Sequence, residues 1–193
     1  MTTEPLPVPA DGSSMAVSAM RRLESAPGLD GLVAAVGRVA RALPEGAVDS
    51  WLRGIPVGHA LHPFLTDLPI GFWASSLALD LRGRASEESA ADALVALGLL
   101  SAAPAAVTGL AEWRRLDRPD SRTGALHASL NGVAVGLFGA SLAARRAGSR
   151  SAGVGLSLAA AAVTAASGYL GGHLAIGKKA GSRHPGFAEP AAP

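Results

Sequence analysis

Leu61-His62-Pro63-Phe64-Leu65-Thr66-Asp67 opens a long apolar run, and it returns in thinned form as Leu126-His127-Ala128-Ser129-Leu130-Asn131-Gly132. The match continues without a gap, Ile70-Gly71-Phe72-Trp73 standing against Val135-Gly136-Leu137-Phe138. A histidine therefore sits at the same depth at the start of two apolar stretches. Two facing imidazoles are what a b-type haem iron or a transition metal takes.

Working outward, four apolar runs follow one another: about 63–81, 91–113, 124–144 and 152–176. Each has roughly the 20 residues that cross about 30 Å of hydrocarbon. The connections 82–90, 114–123 and 145–151 are short and arginine-bearing, so consecutive spans must be antiparallel neighbours. Val107-Thr108-Gly109 also echoes Ala166-Ser167-Gly168, which suggests a two-helix unit repeated in tandem about an axis along the membrane normal. The small-residue pairs Gly132/Gly136 and Gly168/Gly172 favour close helix packing in lipid. Pro69 and Pro104 lie inside spans.

Composition agrees. Of 193 residues, 49% are apolar and only 17% charged, against about 25% charged in ordinary soluble domains. Mean hydropathy is +0.30. There is no cysteine, which excludes disulfides, thiolate-held iron–sulfur clusters and thiolate haem ligation. With 4% aromatics and a net charge of +2, nucleic-acid binding is not expected. No phosphate loop, dinucleotide fingerprint, nucleophile elbow or zinc-protease motif is present.

Before the spans, 1–26 reads as a disordered tail, and 27–44 as an amphipathic helix, either on the membrane surface or capping the protein's own loops. The membrane domain is 59–177, and 178–193 reads as a flexible tail. Arg53, Arg114, Arg115, Arg118, Arg122, Lys178, Lys179 and Arg183 fall on one side, against Arg82, Arg84, Arg145, Arg146 and Arg150 on the other. That bias places both termini in the cytoplasm of a multi-pass cell-membrane protein.

The polar residues collect on the side of the termini: His59, His62, Asp67, Glu112, His127, Asn131, Tyr169 and His173. Asp80 alone among span carboxylates sits opposite. In four antiparallel helices the first and third are diagonal, about 11–14 Å apart. That gap suits His62 and His127 as axial ligands of a haem b, with His173 as substitute ligand or quinone contact. Alternatively, His62, His127 and His173 with Asp67 or Glu112 make a compact site for iron, zinc or copper. Asp67, Asn131, Glu112 and Tyr169 stand as the partners that would orient an imidazole. His59 and His184 carry no assigned role.

The run Gly58-His59-Ala60-Leu61-His62-Pro63-Phe64-Leu65-Thr66-Asp67-Leu68-Pro69-Ile70-Gly71 resembles a bacterial family of predicted membrane proteins of unknown function. Its members open their first span with His-Pro followed by Asp-x-Pro-Ile-Gly. Thr108-Gly109-Leu110-Ala111-Glu112-Trp113, Leu126-His127 through Asn131, and Ser167-Gly168-Tyr169-Leu170-Gly171-Gly172-His173-Leu174 resemble it too, Glu112 replacing an expected Asp. Many members are fused to a Rieske-type iron–sulfur domain, which this sequence lacks. The resemblance implies a four-span unit associated with redox chemistry, and a separate Rieske-type or other redox protein as partner.

The expected fold is an all-α membrane protein: a four-transmembrane-helix bundle with a tandem two-helix repeat and a preceding surface helix. The leading expectation for function is an electron-transfer or redox-partner subunit. A structural or docking subunit without cofactor is the alternative. A non-haem metal site or transporter is the third, although Ser75, Ser76, Ser101, Ser141, Ser157 and Thr164 make a thin polar path below the histidines. Oligomer formation is open to any of them.

Overall fold

The computed structural model describes residues 14–187, which hold seven α-helices. α1 (Met15–Glu24), α2 (Asp30–Ala40) and α3 (Ala47–Leu52) precede four long helices. These are α4 (Leu61–Arg82), α5 (Glu88–Trp113), α6 (Arg118–Arg146) and α7 (Arg150–Gly172), the last continued by a π turn over His173–Gly177. α4 stops at Gly83, whose φ of 67° is the left-handed conformation that only glycine adopts cheaply. α6 begins where Asp117 accepts a hydrogen bond from the Asp120 amide at 2.9 Å, with Pro119 in the first turn.

α4 packs along α5 and α6 along α7, α5 lies against α6, and α4 touches α7, so α4 and α6 are diagonal. The interior is small and partly polar: Ser76, Ser141, Ser157 and Ser167 are fully buried among alanines. The large apolar side chains Phe64, Leu68, Leu97, Leu100, Val133 and Leu158 point outward. A soluble domain does the opposite. Small residues let helix backbones approach, and lipid solvates the apolar exterior. Three stretches, Ala85–Trp113, Arg118–Arg146 and Arg150–Gly177, are long and apolar enough to cross a membrane. α4 does not reach that level of apolarity, diluted by His62, Pro63, Asp67 and Pro69, although its 22 residues rise about 33 Å.

Across the diagonal, α4 and α6 meet at three levels. The His62 and His127 rings are 6.1 Å apart, centre to centre, at 84°. Trp73 stacks on Phe138 at 4.1 Å. Asp80 binds Arg145. Each level joins residues 65 apart in sequence, the same offset as the quoted match. The hairpins also share their side-chain-to-backbone bonds. Ser76 Oγ donates to the Ala91 carbonyl at 2.9 Å, and Ser141 Oγ to the Gly153 carbonyl at 2.6 Å. The glycine of α7 that answers Gly109 in this register is Gly171. The Ala166-Ser167-Gly168 echo is thus three residues out of step, a slip that alanine-rich sequence permits.

Several expectations need correcting. Met15–Glu24, placed in a disordered tail, is helical, capped by Ser14 and packed on α6; residues 1–13 lie outside the described chain. The polar stretch 118–123, read as a connection, is the first turn and a half of α6. α2 packs its Gly37–Ala40 face on the ends of α5 and α6, with Trp113 against Gly37. Within the tail expected to be flexible, Lys178 binds Glu24 and Asp120, and Arg183 pairs with His59 in an isolated backbone bridge; residues 188–193 lie outside the described chain.

Candidate functional site

The histidine end is assembled by helix pairing. Nδ1 of His62 lies 2.8 Å from the Ala105 carbonyl on α5, and Nδ1 of His127 lies 2.8 Å from the Ser167 carbonyl on α7. A carbonyl only accepts, so both rings carry their proton on Nδ1. Each ring is seated on a glycine. A Cβ at Gly109 would come within 2.7 Å of His62 Cε1, and one at Gly171 within 2.8 Å of His127 Cε1.

His127 has further partners. Asn131, one turn on, places its amide nitrogen 3.1 Å from His127 Nε2, which therefore accepts. Ser167 Oγ lies 2.9 Å from Asn131 Oδ1 and 3.0 Å from the His127 carbonyl, and its single proton serves one of them at a time. Ser167 fixes the amide's orientation and escaped sequence reading, because nothing marks one serine among many until α6 and α7 are paired.

The other expected site residues disperse. His173 turns away, its Nε2 2.8 Å from Glu24 Oε1 on α1. Asp67 and Tyr169 are exposed and make no hydrogen bond to a histidine. Glu112 is buried and accepts from the Ser182 amide at 2.8 Å, pinning the tail rather than an imidazole. Its Oε1 has no partner among the described residues. Also among the described residues, no three His, Asp or Glu side chains converge as a metal site. What comes together is His62, His127 and Asn131.

Around this end several arginines are held by carboxylates. Asp30 takes Arg118 and Arg122, and Asp49 takes Arg53 and Arg115. The hydrogen bond from Arg122, against some burial and aided by Arg118, holds the Asp30 carboxyl below its usual range. Burial pushes the Asp49 carboxyl up, but the Arg115 and Arg53 hydrogen bonds outweigh it, and the net shift is downward.

The match to known sequences follows this unit. The family described as predicted membrane protein (DUF2231) matches residues 58–184, from just before α4 to the pinned tail. The chain belongs to that family. No curated protein and no solved structure matches it. The DUF2231 region holds both histidines and both hairpins, whereas α1–α3 lie before it.

The opposite end of the DUF2231 unit holds a cluster that sequence reading took for loop charge. Arg145 is fully buried and donates to Asp80, to Asp92 at 3.0 Å, and to Ser141 and Ser157 at 3.1 and 3.2 Å. Arg150 adds bonds to Asp80 and Asp92. Asp80 is therefore not solitary: the cluster joins α4, α5, α6 and α7. A Cβ at Gly153 would fall 2.5 Å from Arg145 Cγ, so that glycine makes the room.

Proposed function

We propose that this DUF2231 protein is an electron-transfer or redox-partner subunit of the cell membrane, in which His62 and His127 give two imidazole nitrogens to one metal centre, haem b by preference. The proposal includes four spans, α4 being the first, built as a duplicated hairpin with both termini on the cytoplasmic side. The observation that carries it is the histidine level of the diagonal: two identical rings, 6.1 Å apart, each with Nδ1 held by a main-chain carbonyl. With a metal–imidazole bond of about 2 Å, rings this close are within reach of one shared metal, and His62 and His127 would be the residues to hold it. The carbonyl bond is the outer partner that ligating histidines use to fix their tautomer. Held by His62 and His127, a haem would supply one-electron transfer rather than oxygen binding. The resemblance to Rieske-fused proteins favours a redox protein as partner.

A second reading has its own observation. Asn131 occupies Nε2 of His127, and ligation there requires that it give up that bond. With rings seated on Gly109 and Gly171, the histidines already serve as hydrogen-bonded ties between helices, as in a docking subunit without cofactor. The test is a dithionite-reduced minus oxidised spectrum of protein purified from haem-supplied cells. A sharp α-band, lost in His62→Ala and in His127→Ala, is the expected result. A band that survives both substitutions overturns the ligand assignment. A flat spectrum with stoichiometric metal means a non-haem site, and a flat spectrum without metal favours the docking subunit.

A further inference from the structure

At the histidine end Arg53, Arg114, Arg115, Arg118, Arg122 and Lys178 are held by carboxylates. Lys179 and Arg183 have no carboxylate partner among the described residues, and both line one cavity of about 400 Å³. His59 and Ser182 complete its polar wall, while Pro63 and Phe64, the latter 64% exposed, form an apolar one. Among the described residues no carboxylate lines it.

The backbone has been shaped to put these cations there. Lys179 has φ of 53°, the sole non-glycine residue at positive φ among the described residues. That conformation is costly for a side chain with a Cβ. It is fixed by the bonds that close the π turn, Lys178 N–H to the His173 carbonyl at 2.8 Å and Ala180 N–H to the Leu174 carbonyl at 3.0 Å. Downstream, the tail is fastened to Glu112 through Ser182 and to Gly58 through the His184 amide. Arg183 is thus held beside the first turn of α4, whose N-terminal N–H groups add positive potential.

We propose that this cavity binds the phosphate of an anionic membrane lipid, Lys179 and Arg183 pairing with the headgroup while the acyl chain runs along Phe64. A phosphate could also come from solution. The apolar wall beside the cations favours the lipid, as does the place of the cavity at the end of membrane-crossing helices. Each cation near a membrane surface contributes enough that losing two should weaken binding about 30-fold.

The full chain in mild detergent is titrated with phosphatidylglycerol, and separately with phosphatidylcholine, and bound lipid is counted by native mass spectrometry. Wild type should take phosphatidylglycerol in preference. Lys179→Gln with Arg183→Gln should lose that preference about 30-fold, whereas Arg38→Gln with Arg41→Gln, at the same end but outside the cavity, should keep it within about twofold. Should the double variant not fold, added salt must weaken phosphatidylglycerol binding to wild type. Equal affinity in both double variants, or salt independence, overturns the proposal. Displacement of the lipid by millimolar inorganic phosphate overturns the lipid as the source.

Discussion

Replacing Arg145 by leucine should be the most damaging single change in the protein's interior. Its side chain is fully buried and reaches Asp80, Asp92, Ser141 and Ser157, on all three other helices and its own. After Arg145→Leu, Asp80 and Asp92 keep Arg150, and Ser141 keeps Gly153 and Ser157. The Asp80 carboxylate, itself fully buried, is then left with one guanidinium where it had two. Leaving a buried charge short of its partner costs about 3–5 kcal/mol, a factor of roughly 200 to 5,000 in the folding equilibrium. The assay is unfolding in mixed micelles followed through tryptophan emission, since Trp73 stacks on Phe138 one level away. Arg145→Lys should recover only part of the loss, because an ammonium cannot fork between two carboxylates. The double change Arg145→Leu with Asp80→Leu should recover more than half. A loss under about 1 kcal/mol for Arg145→Leu, or a double variant less stable than the single, would refute the reasoning.

Three further outcomes follow from the geometry. Gly171→Ala and Gly109→Ala should each cost about 1–3 kcal/mol by pushing an imidazole off its seat, whereas Gly132→Ala, with nothing within 4 Å, should be neutral or stabilising in the same unfolding assay. Phe138→Ala should cost about 3–5 kcal/mol and shift Trp73 emission, having removed the stacked partner of a buried indole. The folded Asp49 carboxyl lies below the unfolded value of about 3.9, so its stabilisation is present above about pH 4 and lost as pH falls through the folded value. Hydrogen exchange across 47–53 should accelerate in that acid window, and Asp49→Asn should remove the dependence.

The long helices were legible as apolar runs of spanning length, and the histidine pair was legible because the first match held its register without a gap. Asn131 was legible too, one turn from His127 on the same helix. The failures have physical causes. Arg118–Thr123 carries enough charge to look like a loop, but Asp117 caps it and Pro119 starts it, so it is the charged, capped beginning of α6. Arg145 reads as the basic end of a span, and only its mate on α4 reveals that it turns inward. Ser167 and Gly171 are single small residues in a small-residue helix, and their roles exist only once α6 lies against α7. His173 followed the histidine pattern, but Glu24 on α1 claimed it.

The three levels of the diagonal differ in kind. Were two identical hairpins to associate, every residue on their twofold would confront its own copy, so the Asp80 level would set carboxylate on carboxylate. In one polypeptide that constraint is absent: α4 carries the acid where α6 carries the base, and tryptophan where α6 carries phenylalanine. At the histidine level both halves keep an imidazole on a main-chain carbonyl, yet Asn131 bonds the second nitrogen of His127 while the matching residue of α4, Thr66, bonds the Pro63 carbonyl instead. Anything seated between the two rings would have to displace the Asn131 amide on one side, and so would meet the two halves differently.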